Sequence, residues 1–249
     1  MKSRKKYIYL ILSIVLLMLG LVLGATAVHK YLREKNAGRQ YKELAEDVQK
    51  DVPAVQVPID FSALQKRNPD AYAWITIPDT AVNYPVLQRT GDNEYYLTHD
   101  LDGKESLEGA IYTEDYNTTT FEDPNTVLYG HNMKNGSMFR GLHDYSDRVF
   151  FDSHREILIY LPDSILHYQV FAAYEYDDRH LMQSFDFSNP DVMENYVSTI
   201  LSTKSMDANI DREAAVNRDS KIITLSTCKG NPDTDRRYLV QAVLVSIEK

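Results

Sequence analysis

Cysteine is almost missing from this chain: Cys228 is the one thiol among 249 residues. An internal disulfide is therefore excluded. The histidines and acids show neither a His-Glu-x-x-His pattern nor any other zinc-site spacing, so no metal and no cofactor are expected. Glycine (10) and proline (9) are few and scattered, which leaves no room for a low-complexity tract. No internal repeat is visible either. Basic charge is not in excess, since the whole chain carries −9. Lys2, Arg4, Lys5 and Lys6 are the charges of the first 28 residues, so residues 29–249 carry −13. So acidic a body is a poor nucleic-acid binder, because phosphate attraction dominates such binding. The acidic stretches EDYNTTTFEDPN (114–125) and Asp177-Asp178 lack an EF-hand pattern and read as solvated loops.

Long apolar runs are also absent, with one exception. Tyr7 to Val28 is 22 residues without a charge. As a helix rising about 1.5 Å per residue it spans a hydrocarbon core of roughly 30 Å. The basic cluster before it assigns residues 1–6 to the cytoplasm and everything after the span to the outside, although Lys30, Arg33 and Lys35 weaken the asymmetry. Ala25-Thr26-Ala27 has the form of a signal-peptidase site. The apolar segment is longer than the roughly 7–15 residues of a signal core, which favours an uncleaved anchor. The expected organisation is a cytoplasmic tail (1–6), a single-pass anchor (7–28), a charged helical stalk and proline-containing linker (29–59), and an extracellular domain (60–249).

Within that domain the strand signals dominate. WITIP (74–78), AVNYPVLQ (81–88), GAIYT (109–113), NTVLYGH (125–131), EILIYL (156–161), LHYQVFAAYEY (166–176), KIITLSTC (221–228) and RYLVQAVLVSI (237–247) are short and rich in β-branched and aromatic residues. Eight such strands can close into a mainly-β barrel that leaves no edge. Helical patterns interrupt them at 61–73, 137–145 and 188–204. In the last, Ser188 or Asn189 serves as cap, Pro190 suits the first turn, and Val192, Met193, Tyr196, Val197 and Ile200 line one face.

A lone thiol outside the membrane is an intermolecular link, an inert buried group or a nucleophile. Alternation in KIITLSTC puts Ile222, Thr224, Ser226 and Cys228 on one face, and Ile223, Leu225 and Thr227 on the other. The loop KGNPDTD ends the strand at Cys228, and the next strand begins near Arg237. An antiparallel pair would set the thiol beside Arg236 or Arg237, and alternation does not choose between them. A guanidinium there favours the thiolate and can bind a developing oxyanion. Acyl transfer also needs a proton donor, usually histidine. His131, after the strand NTVLY and Gly130, is the candidate, with Gly130 expected to supply backbone freedom. His143, His154, His167 and His180 read as structural.

Four stretches carry a family resemblance. TLSTC (224–228), NTVLYGHNMKNGSMF (125–139), RYLVQAVLV (237–245) and NPDAYAWITIPDTAVNYPVLQ (68–88) with the following DNEYYLTHD resemble the class B sortases. These are membrane-anchored cysteine transpeptidases of Gram-positive bacteria. The resemblance covers residues 60–248 and implies a sortase-type eight-stranded barrel. It implies Cys228 as nucleophile, His131 as acid/base and Arg237, rather than Arg236, as oxyanion or substrate clamp. Asn93, Leu97, Ser226 and Thr227 fall where such enzymes line a peptide groove. The implied partners are surface proteins ending in a sorting signal, cleaved after Thr. The implied amine acceptor is a peptidoglycan precursor or a pilin lysine. Two other functions stand beside this one. A papain-like or amidase-type hydrolase would put cysteine on a helix ahead of histidine, whereas His131 precedes Cys228 and Cys228 ends a strand. A non-catalytic peptide-binding barrel would keep its activity in Cys228→Ala.

Overall fold

Residues 17–18, 23–33, 39–40, 42–44, 57–229 and 236–249 are described in a computed structural model, which divides into two units, residues 1–40 and 41–249. In the first unit residues 23–33 are helical. The anchor expected at 7–28 lies mostly outside the described residues, as does much of the stalk and linker. Among the described residues no helix is long and apolar enough to cross a membrane.

Every strand expected from the β-branched and aromatic runs forms: β1 (Ala71–Thr76), β2 (Asn83–Leu87), β3 (Ile111–Thr113), β4 (Asn125–Tyr129), β5 (Glu156–Leu161), β6 (Ser164–Asp177), β8 (Ile222–Cys228) and β9 (Arg236–Glu248). They hydrogen-bond in the order β5-β1-β2-β3-β4-β8-β9-β6, and a β5–β6 pairing closes the ring. Among the described residues the barrel thus has eight strands. A two-residue strand, β7 (Asn209–Ile210), adds on β6 outside the ring. Closure removes the exposed edges that would otherwise template pairing with another chain. The β2–β3 and β4–β8 pairs are parallel. A parallel pair needs a long crossover, and between β4 and β8 that crossover is the whole of residues 130–221.

β8 is buried on both faces, so it is apolar or small throughout. Ile223 and Leu225 point into the barrel with Trp74, Val86, Leu128 and Val240. Ile222 points outward, under a second cluster that includes Val127, Phe171, Leu239 and Val243. The lid of this outer cluster is α5 (Pro190–Leu201), through Met193, Tyr196, Val197 and Ile200. Asn189 caps α5 by accepting from the Asp191 N–H at 3.0 Å, and Pro190 occupies the first turn. Under the lid runs a chain of buried, hydrogen-bonded polar side chains, in which Asn125 Nδ2 is left without a partner. Gln241 Nε2 donates to Tyr196 Oη (2.7 Å) and Thr224 Oγ1 (2.9 Å), Thr224 donates to Asn125 Oδ1 (2.9 Å), and Tyr174 donates to Gln241 Oε1 (3.2 Å).

The remaining helices are short. The pattern at 61–73 yields α1 (Phe61–Arg67) and then stops, since Asn68 precedes Pro69 and is held extended. Ala71, Tyr72 and Ala73, expected in that helix, open β1 instead. The pattern at 137–145 forms a 3-10 helix, Phe139–Ser146. Three further helices, α2 (Tyr95–Thr98), α3 (Arg148–Ser153) and α4 (Leu181–Ser184), are too short to leave an apolar periodicity in the sequence.

Candidate active site

The parallel β4–β8 pair fixes where the candidate residues meet. Tyr129 lies opposite Ser226, and Gly130 N–H extends the ladder by donating to the Ser226 carbonyl at 3.1 Å. His131 follows directly, and Cys228 ends β8, so imidazole and thiol leave adjoining strands at one rim. Asn132 ties the two ends together, its Nδ2 donating to the Cys228 carbonyl at 3.0 Å.

The antiparallel β8–β9 pair resolves the choice between the two arginines. Arg237 is the register partner of Cys228, and residues directly opposite share a face. Its Nη1 donates to Cys228 Sγ at 2.8 Å. Arg236 turns to the other face and meets Glu175, Nη1 to Oε2 at 3.2 Å, and Lys229 pairs with the same carboxylate. A cation in direct contact with sulfur stabilises the thiolate, the form that attacks carbonyls. The Gly230–Asp235 stretch, expected as the turn between these strands, lies outside the described residues.

His131 Nε2 donates to the Leu97 carbonyl at 2.7 Å. That bond commits Nε2 to the hydrogen and leaves Nδ1 as the nitrogen for proton exchange. The His131 carbonyl accepts from Phe139 N–H at 2.9 Å, which pins the residue from behind. Gly130 contributes differently from what was expected. Its φ is not in the left-handed region; what it supplies is space. A Cβ there would lie 2.5 Å from Ile111 Cδ1 and 2.7 Å from Phe139 Cδ2.

The other groove candidates divide. Leu97 is 41 % exposed and joins the site through its carbonyl. Asn93 Oδ1 is spent on the Asp115 N–H at 2.8 Å, so it braces one loop against another. Ser226 is buried one residue pair below the rim, on the same face as Cys228. Thr227 turns inward with Ile223 and Leu225, and at 1 % exposure its side chain offers no groove surface.

Two features had no sequence signal. On the outer face, Tyr112 stacks on Tyr129 with ring centroids 5.4 Å apart. Burial pushes both phenols far above their ordinary pKa; nearby Glu114 adds to this and Arg237 opposes it. His180 lies beside Tyr129, ring centroids 6.2 Å apart, with its Nε2 2.7 Å from Glu114 Oε2. The second feature is His143, on the 3-10 helix, whose Nε2 donates to the Cys228 carbonyl at 3.1 Å. Among the described residues no group of three or more histidine, cysteine or acidic side chains is placed to hold a metal ion.

An eight-stranded closed barrel bearing a thiol–guanidinium contact at its rim is the framework of a sortase-type transpeptidase. The sortase domain family matches residues 75–245. Sortase B of Listeria monocytogenes is 35 % identical over 184 residues, covering 74 % of this chain and 73 % of that protein. Sortase B of Staphylococcus aureus is 28 % identical over 247 residues, 98 % of this chain and 99 % of its own. Among solved structures, sortase B of Bacillus anthracis superposes with a TM-score of 0.74 at 29 % identity, covering 87 % of this chain and 99 % of that one. The chain belongs to the sortase family, in its class B, and is a transpeptidase.

Proposed function

We propose that Cys228 is the nucleophile, Arg237 the oxyanion clamp and His131 the acid and base of a two-step acyl transfer. The Cys228 thiolate attacks the carbonyl carbon of Thr in the C-terminal sorting signal of a surface protein. The alkoxide-like oxyanion that forms is held by N–H donors of the Arg237 guanidinium. Collapse breaks the peptide C–N bond, and His131 gives its proton to the leaving amine. The signal's downstream peptide departs and a thioester remains on Cys228. An acceptor amine then attacks that thioester, His131 takes a proton from it, and the thiolate is released as the new amide forms. We assign the acceptor to a peptidoglycan precursor, the general partner of sortases, with a pilin lysine as the other outcome of the test. We place the domain outside the cell on an uncleaved anchor formed by residues 7–28, supported by the 22 uncharged residues behind a basic cluster.

The observation that carries this proposal is the 2.8 Å contact of Arg237 Nη1 with Cys228 Sγ, enforced by strand register rather than by a mobile side chain alone. Its test is mass spectrometry of the soluble domain incubated with sorting-signal peptides and either a peptidoglycan stem peptide or a pilin-type lysine peptide. An acyl adduct on Cys228 that passes to one amine supports it. Transfer that persists in Cys228→Ala, or release to water alone with both amines present, overturns it.

A further inference from the structure

The 3-10 helix Phe139–Ser146 touches the main chain of both reactive strand ends. At its start, Phe139 N–H donates to the His131 carbonyl at 2.9 Å. Four residues on, His143 Nε2 donates to the Cys228 carbonyl at 3.1 Å. That carbonyl also accepts from Asn132 Nδ2 at 3.0 Å, so both its acceptor positions are used. The location explains the need. β4 ends at Tyr129 while β8 runs on to Cys228, so the last peptide of β8 has no strand partner on that side. Two side chains stand in for the missing ladder.

His143 is held from both sides. Its ring lies 5.1 Å, centroid to centroid, from that of Tyr238, the residue next to Arg237 on β9. Burial lowers its pKa below the ordinary 6.5; Arg140 and Lys229 act in the same direction, and the Cys228 carbonyl and Asp144 oppose. A neutral ring with Nε2 as donor keeps its hydrogen on the Cys228 side and brings no second cation to the thiol.

We propose that His143 is a positioning residue for acyl transfer: by its hydrogen bond to the Cys228 carbonyl it fixes the terminal peptide of β8, and with it the aim of Sγ at the substrate carbonyl. This rests on the acyl-transfer function proposed above. His143 meets the Cys228 carbonyl and the Tyr238 ring rather than the sulfur itself, so it acts through Cys228. Its effect falls on the chemical step, because a thiol displaced by a fraction of an ångström loses alignment without losing peptide affinity.

Two variants separate the hydrogen bond from the ring. His143→Phe keeps an aromatic body against Tyr238 and deletes the donor. His143→Gln keeps an amide donor and deletes the ring. The expected result is a kcat for thioester formation about ten- to a hundredfold lower in His143→Phe, with KM within about twofold. His143→Gln should recover most of that loss. Nitrogen-15 NMR of the wild-type soluble domain should show the imidazole of His143 as the Nε2–H tautomer, a measurement that does not depend on any variant folding. Wild-type kcat in His143→Phe, equal losses in both variants, or an Nδ1–H tautomer overturns the proposal. If wild-type enzyme forms no thioester on Cys228, the acyl-transfer assignment fails instead, and the tautomer alone then reports whether the hydrogen bond exists.

Discussion

Arg237 stands directly across the β8–β9 ladder from Cys228, and its Nη1 donates to Sγ at 2.8 Å. The proposed acyl transfer gives this one guanidinium two roles: contact with the sulfur before attack and binding of the oxyanion after it. Arg237→Ala should lower kcat/KM for sorting-peptide cleavage by about 10²–10³-fold, the cost of one oxyanion donor. Arg237→Lys should restore little, because an ammonium lacks the planar fork that reaches both atoms. Arg236→Ala removes one of the two cations on Glu175, leaves Lys229 there, and should stay close to wild type. Steady-state cleavage of a fluorogenic peptide checks all three, and a fully active Arg237→Lys would remove the fork from the mechanism.

Gly130 is needed for space. Adding one methyl places carbon 2.5 Å from Ile111 Cδ1 and 2.7 Å from Phe139 Cδ2. Both neighbours are buried in the barrel core and cannot swing away freely. Gly130→Ala should cost about 1–3 kcal/mol in urea unfolding, as overpacking does. Activity should fall further than the lost folded fraction explains, because His131 is the next residue and its carbonyl is tied to Phe139. Unchanged stability would show that Ile111 and Phe139 give way without cost.

The polar chain under α5 is a second structural test. Gln241 is fully buried and serves Tyr196, Thr224 and Tyr174 at once. Gln241→Leu keeps bulk but strands those hydroxyls in an apolar layer, with an expected loss of about 3 kcal/mol. Tyr196→Phe removes one member and should cost nearer 1 kcal/mol. Equal, negligible losses in both would mean that water enters beneath the helix and replaces the lost partners.

Tyrosine sets the alkaline limit of the fold. Burial is the largest cause in pushing Tyr84 and Tyr196 up to about 12, and it drives Tyr72, Tyr112, Tyr129, Tyr145, Tyr168 and Tyr238 higher still. Each phenol is protonated more tightly in the folded chain than in the unfolded one. Their stabilisation is therefore complete below an unfolded pKa of about 10 and is lost as pH rises through the folded values. Phenolate absorbance should rise in two phases, exposed rings first, and the second phase should coincide with loss of the β-sheet circular dichroism signal. Titration of all 18 tyrosines near pH 10 with the barrel intact would contradict this assignment of burial.

The sequence made the barrel visible because its strands are short, β-branched and punctuated by polar turns, a signal that survives whichever face is buried. α5 was visible for the same kind of reason: twelve residues suffice to display a cap, a proline and a 3.6-residue stripe. Helices of four or six residues show no such period. The choice between Arg236 and Arg237 was invisible to alternation, because alternation gives faces and not register. Only the pairing of Cys228 with Arg237 settles it. Thr227 was a groove candidate through the family resemblance alone; alternation already put its side chain on the face opposite Cys228, and there it is buried. His143 had no local signature, since its importance comes from a carbonyl 85 residues further along the chain.

The parallel pairing of β4 with β8 carries a last implication. No hairpin can bring those strands together, so the residues between them must first build β5, β6 and much of the outer layer. Contacts of such wide separation form late and slowly. Until they do, the strand end that carries His131 has not been brought beside the strand end that carries Cys228. The rim that holds His131 and Cys228 is thus assembled only with the long crossover between β4 and β8, and its geometry depends on the barrel as a whole rather than on any one hairpin.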